Sequence, residues 1–254
     1  MKRFLLTVCF LGFCWQFNLA AEEGKGVPKL ILRIDFEDPI SGNGSNVFDT
    51  SIPGEETKWG KTAGIVAYTA MAKEGKAWKP EHRVAGKSGY AYFFGGDEEK
   101  RYITIPYSET LEPGKDDFSL SLWIKTVAEE GYLVLKTTTA PYWVVHLSKG
   151  KPRLMLNDGT GPTMVLAGKK EVNDGNWHHL VLTVKSNQAL RFFVDGKMDA
   201  ESALGKLGDM TKKAAIGIGG YGYASGYFQG SIDSFRLYRG ALSSEEIVKI
   251  FNEG

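Results

Sequence analysis

From residue 29 onward, apolar and polar residues alternate in short segments, and almost nowhere do apolar residues recur at helical spacing. The pattern predicts strands over residues 30–36, 90–94, 102–105, 118–125, 132–136, 142–148, 153–156, 163–167, 178–185, 190–194, 197–202, 215–218 and 228–238. Successive side chains on a strand point to opposite sides, so Phe118, Leu120, Leu122 and Ile124 share one face. Ser119, Ser121, Trp123 and Lys125 share the other. In the same way Leu180, Leu182 and Val184 lie together, opposite Trp177, His179, Val181 and Thr183. A sheet with one apolar face needs a covering layer, and with so little helix available that layer is a second sheet. The expected fold class is all-β, a two-sheet antiparallel sandwich or jelly roll.

Turn chemistry agrees. Asp195-Gly196 separates two predicted strands, where a two-residue hairpin turn demands the positive φ that Gly adopts freely and Asp tolerates. The nine prolines are expected at or outside strand ends, where a missing N–H harms no central ladder. Two segments depart from strand logic. Residues 39–89 read as a long connection with one structured candidate, 63–71, and a loop of that length is uncommon unless it has a function. At the end, Ser243 and Glu246 form a capping box for a short helix through Phe251, expected to pack on the sandwich edge.

Lys2 and Arg3, an apolar run from Phe4 to Trp15 and a small-residue Ala20-Ala21 end follow the order of a secretory signal peptide. The run is shorter than the roughly 20 residues a membrane-spanning helix requires. The expected organisation is a leader over residues 1–21 and one domain over 22–254, secreted and not inserted in a membrane. Both cysteines, Cys9 and Cys14, fall in the leader, so no disulfide is expected after cleavage. Without the leader the chain carries 29 basic and 30 acidic residues, a formal charge of −1. That balance gives no electrostatic basis for nucleic acid as a partner.

Three segments carry a family likeness: 117–124 (DFSLSLWI), 173–184 (NDGNWHHLVLTV) running into 193–197 (FVDGK), and 228–239 (FQGSIDSFRLYR) followed by Ala241-Leu242-Ser243. Residues 32–38 and 84–93 add a first strand and an early glycine-framed strand. In this order the segments resemble the laminin-G-like, concanavalin A-like lectin/glucanase jelly-roll family. The resemblance implies a binding or architectural module of an exported protein, and a structural calcium between the first and last strands. Calcium takes six to eight oxygens. Glu37, Asp38, Asn43, Asp49 and Asp233 are the candidate ligands, with Glu37 standing where the family usually carries Asp.

A sugar site calls for an aromatic platform. Trp59, Trp78, Tyr221, Tyr223 and Tyr227 fall in predicted loops and are the candidates, with packing lids as the alternative role. Trp123, Trp143 and Trp177 read as core. His178 and His179 point to opposite faces and so cannot chelate one zinc ion together. Asp35 and Glu37 have the spacing of a glycosidase carboxylate pair, but Arg33 stands where the related glucanases place a third carboxylate. Residues 223–229 resemble the tyrosine strand of alginate-type lyases, without the accompanying His, Gln and Arg-x-Glu set. The expectation is a secreted, non-catalytic module recognising a polysaccharide, a glycan or another exported protein. The alternatives are a cell-envelope structural or protein-interaction domain, and a polysaccharide hydrolase or lyase of the same fold.

Overall fold

The computed structural model describes residues 6–10, 13–17, 27–37, 46–47, 68–72, 78–222 and 225–254. Strands β1 (Leu6–Phe10) and β2 (Phe13–Phe17) pair only with each other, apart from the two large sheets. The remaining strands are β3 (Lys29–Ile34), β4 (Asn46–Val47), β5 (Tyr68–Ala72), β6 (Arg83–Ala85), β7 (Tyr90–Gly95), β8 (Arg101–Ile105), β9 (Phe118–Lys125) and β10 (Gly131–Lys136). They continue as β11 (Tyr142–Ser148), β12 (Lys151–Asn157), β13 (Met164–Ala167), β14 (Trp177–Lys185), β15 (Ala189–Val194), β16 (Lys197–Ala203), β17 (Ile216–Ile218) and β18 (Gln229–Arg239). Helix α1 (Gly96–Glu99) is a single turn, and α2 (Ser244–Glu253) closes the chain.

The front sheet runs β16-β15-β14-β9-β18-β7-β6, and the back sheet runs β13-β12-β11-β10-β17-β8-β5-β4. Between them lies one apolar layer. Phe118, Leu120, Leu122 and Ile124 enter it from the front, and Ile103, Val145, Leu147 and Leu154 from the back. Each such side chain is buried, contributing about 1.5–3 kcal/mol. The expected two-sheet antiparallel β-sandwich is therefore observed, with the predicted inward faces.

β18 organises the front sheet. β9 pairs along one side of it, while its other side is shared in tandem by β7, through Gln229↔Gly95 to Ile232↔Tyr92, and by β3, through Phe235↔Ile34 to Arg239↔Lys29. The two short strands meet opposite Asp233 and Ser234. There the register with β9 shifts, and Ser234 has φ 49°.

Four features differ from the sequence expectation. β3 stops at Ile34 because Phe36 turns into the left-handed region at φ 59° and buries its ring in the core. The 39–89 connection holds β6, whose single large apolar residue, Val84, is too slight a pattern to register. Pro152 lies inside β12. Its carbonyl accepts from Gly168 N–H just past the end of β13, so its absent N–H faces a strand that has already ended. Helix α2 lies across the outer face of the front sheet, not on the sandwich edge. Ile247 and Ile250 pack with Val181, Phe193, Tyr238 and Leu242 in a second apolar cluster, and Phe251 stacks on Trp123 at 5.5 Å. The capping box forms as expected: Ser243 Oγ accepts from Glu246 N–H at 3.2 Å, and Glu246 Oε2 accepts from Ser243 N–H at 2.8 Å. The Asp195-Gly196 turn has the anticipated positive φ, 51° and 74°.

His179 is sealed under this helix, 1% exposed, with its ring 4.9 Å from Trp123. Burial, reinforced by the Arg236 guanidinium, pushes it down to about 4. The unfolded chain then binds a proton below about pH 6.5 that the folded chain refuses until about pH 4, so stability is lost as pH falls through that window. Going from pH 7 to pH 5 should cost about 2 kcal/mol through this residue. Asp233, held up at about 6 by its own burial, acts in the opposite sense, so the readout is the difference between variants. In thermal melts across pH, His179→Phe should keep the stack yet remove this acid-sensitive component. Equal acid sensitivity in variant and wild type would contradict the assignment.

Candidate functional site

The β18 bulge brings both chain ends to the 86–89 turn. Asp233, 0% exposed, receives the N–H groups of Lys87 at 2.8 Å and Ser88 at 3.2 Å on Oδ2, and the Ser234 hydroxyl at 3.1 Å on Oδ1. Across the turn, exposed Glu37 receives Tyr90 N–H at 3.1 Å on Oε1, while Arg83 donates to the Glu37 carbonyl and lies 3.4 Å over the Tyr90 ring. Gly86 and Gly89 admit these carboxylates: a Cβ on Gly86 would stand 2.7 Å from Asp233 Oδ2, and one on Gly89 2.2 Å from Glu37 Oε1. Burial raises Asp233 to about 6, because its neighbours among the described residues are amide and hydroxyl donors, not cations.

This is where the sequence places a calcium, and the pairing of β3 with β18 supplies the approach of the two chain ends that such a site needs. Two of the five candidate ligands, Glu37 and Asp233, border one turn. Asp38, Asn43 and Asp49 lie outside the described residues. Among the described residues no group of three or more carboxylate, histidine or cysteine side chains is poised for a metal. The described donors at this turn are two carboxylates, the buried Asp233 and the exposed Glu37, which are the residues that would hold a hard cation.

The expected aromatic platform divides. Trp78 is 2% exposed and packs edge-on against Tyr92 and Phe94, each at 5.3 Å, so it is a core residue and not a loop platform. Tyr227 is also buried, 4% exposed, because it re-enters the back sheet as a bridge partner of Tyr132. Trp59 and Tyr223 lie outside the described residues. Half-buried Tyr221 stands over Gly217 of β17, where a Cβ would come within 2.7 Å of its ring.

What gathers around Tyr221 and Tyr227 was not anticipated. Half-buried Tyr102 of β8 lies 5.9 Å from the Tyr227 ring, and half-buried Tyr132 of β10 lies 6.2 Å from the ring of His146 on β11. Tyr132 donates its N–H to the Gly226 carbonyl at 2.8 Å, and its ring occupies the space a Cβ on Gly226 would need. The result is a tyrosine band over the outer face of β8, β17 and β10, continued by His146 and then Arg153 of β12. The signal was parity: Tyr102 alternates with inward Ile103, and Arg153 with inward Leu154.

At one end of the sandwich, Asp195 accepts from His179 N–H at 2.9 Å and Lys170 Nζ at 2.6 Å and meets His178 Nδ1 at 2.9 Å. His178 Nε2 lies 3.0 Å from Asp174. The Asn176 amide, with the His178 ring, holds the Asp174 carboxyl at about 2. The adjoining pocket of about 410 Å³ is lined by Val194, Met198 and Phe251 and by charged residues, of which Lys170 and Asp195 belong to that network. Asp35 is bound by Arg33 Nε at 2.6 Å, and the left-handed Phe36 removes the strand alternation that would set the Asp35 and Glu37 carboxylates on one face.

A family model described as Laminin_G_3, concanavalin A-like lectin/glucanases superfamily, matches residues 96–248. By sequence, 109 residues, 42% of the chain, are 29% identical to the Fat-like cadherin-related tumor suppressor homolog of Drosophila melanogaster, 2% of that protein. By structure, the chain is similar to the binding domain of Paraclostridial Mosquitocidal Protein 1, with TM-score 0.66, 17% identity, and coverage of 89% of this chain and 52% of that one. It is also similar to the binding domain of Botulinum Neurotoxin DC in complex with SialylT, with TM-score 0.58, 13% identity, and coverage of 89% and 51%. The chain thus spans about half the length of these solved domains. At such identities the likeness shows the shared β-sandwich. No helix among the described residues is long and apolar enough to cross a membrane.

Proposed function

Because the chain belongs to the concanavalin A-like lectin/glucanase superfamily, matched over more than half its length, we propose that it is an exported, non-catalytic recognition module that binds carbohydrate. The observation that carries this reading is the convergence of half-buried Tyr102, Tyr132 and Tyr221 on the outer face of the back sheet, with buried Tyr227 packed against Tyr102. Tyrosine offers a flat apolar face to a sugar ring and a hydroxyl to its substituents. Burial, with Tyr221 nearby, raises the Tyr102 phenol, which therefore stays neutral and serves as a hydrogen-bonding group. The binding domains that share this fold support recognition over catalysis, and the interruption of the strand at Phe36, between Asp35 and Glu37, agrees.

We further propose that calcium joins the chain ends at Glu37 and Asp233. The ion would supply the positive charge that buried Asp233 lacks, so that β3 and β7 stay aligned along β18.

Two outcomes are expected. In affinity electrophoresis through a panel of soluble polysaccharides, the wild-type chain should be retarded by at least one, and Tyr132→Ala should weaken that interaction about tenfold with an unchanged circular dichroism spectrum. Retardation identical in the two proteins would overturn the site. In thermal melts, added calcium should raise the midpoint of the EDTA-treated wild type and leave Asp233→Asn unmoved. A midpoint indifferent to calcium in both would remove the metal.

A further inference from the structure

Tyr132, His146 and Arg153 stand directly opposite one another across β10, β11 and β12, through the pairs Tyr132↔His146 and His146↔Arg153. Side chains so paired share one face, and strands lie about 4.8 Å apart, so the row runs roughly 10 Å from the tyrosine ring to the guanidinium. All three are half-buried. His146 Nδ1 meets the Leu147 carbonyl at 3.1 Å, and since a carbonyl can only accept, Nδ1 carries the proton. Nε2 is then a bare acceptor, buried and without a partner. Burial, with the nearby Arg153 charge, lowers this histidine, so it is neutral at pH 7.

Arg153 is the one formal charge on the row. Its Nε is buried without a hydrogen-bond partner, and among the described residues no carboxylate forms an ion pair with it. Two carboxylates that flank β10–β12 in sequence are engaged elsewhere. Glu130 accepts from Lys149 N–H at 3.0 Å and from the Ser148 hydroxyl at 3.4 Å, while Glu171 pairs with Lys151 at 3.7 Å. A half-buried guanidinium that no carboxylate neutralises, on the same sheet face as a tyrosine ring, is matched to a planar anion, because its fork binds a carboxylate through two parallel N–H bonds.

We propose that the band takes an acidic polysaccharide, with the carboxylate of a hexuronate unit on the Arg153 guanidinium and the sugar face against Tyr132. The proposal rests on the reading of the band as the carbohydrate site and adds the ligand's charge.

The test is affinity electrophoresis at pH 7 and low salt in gels holding polygalacturonate, dextran sulfate or neutral dextran, with wild type, Arg153→Gln and Arg153→Lys, each checked by circular dichroism. Wild type should be retarded most by polygalacturonate. Arg153→Gln should bind it about tenfold or more weakly, since a charge-assisted pair is lost, and added salt should weaken the wild type. Arg153→Lys retains charge without the fork and should fall between, which keeps the proposal testable if the glutamine variant misfolds. Equal retardation by dextran and polygalacturonate, indifferent to Arg153, would overturn the acidic preference while sparing carbohydrate binding. Stronger retardation by dextran sulfate would replace carboxylate with sulfate and overturn the proposal as stated. No retardation in any gel would overturn both this proposal and the carbohydrate reading.

Discussion

The apolar layer sealed between the two sheets is the constraint from which the rest of the molecule follows. Every strand that contributes to it commits alternate residues to the interior, so whatever the protein does must be done by the other faces or by the connections. The front sheet's other face is already covered: Trp123, Val181, Phe193 and Tyr238 lie beneath α2, and the helix is fixed there by its capping box and the Phe251 stack. The outer face of the back sheet carries no helix in the described structure. It displays instead a row of tyrosines ending in a histidine and an arginine.

The same constraint explains the buried carboxylate. Two short strands placed end to end along β18 leave a junction where neither completes the ladder, and the register slip against β9 marks it. Asp233 fills that junction by accepting the amides of the 86–89 turn, in place of a backbone carbonyl. Burying a charge on amide and hydroxyl donors is costly, and the rise of its pKa to about 6 expresses that cost. The proposed cation, shared with Glu37, would relieve that cost and help align the first and last strands.

The fold was legible in the sequence because period-two alternation is a local property: Phe118 to Ile124 and Leu180 to Val184 point inward as their spacing requires. The capping box at Ser243 and the turn at Asp195 were legible for the same reason. The resting place of α2 was not, since an outward apolar patch looks the same whether covered by a helix or by another molecule. The site was legible only in part. Tyr221 belongs to the band, but Trp78, surrounded by loop-like residues, turns into the core beside Tyr92 and Phe94. Tyr102, Tyr132, His146 and Arg153 looked like ordinary strand residues. Their juxtaposition depends on the order of strands in the back sheet, which alternation along a single segment does not encode.

On this account the molecule is a sandwich in which one outer face packs a helix, one edge brings the first and last strands together, and the remaining face is the one proposed to meet a ligand. That division predicts where a bound sugar will be seen. A crystal structure of the chain with a short oligogalacturonate should show the saccharide lying across β10, β11 and β12, with a carboxylate on the Arg153 guanidinium and a ring face on Tyr132. Saccharide seated instead at the sandwich end beside Asp195 and Met198, with the tyrosine band unoccupied, would contradict it.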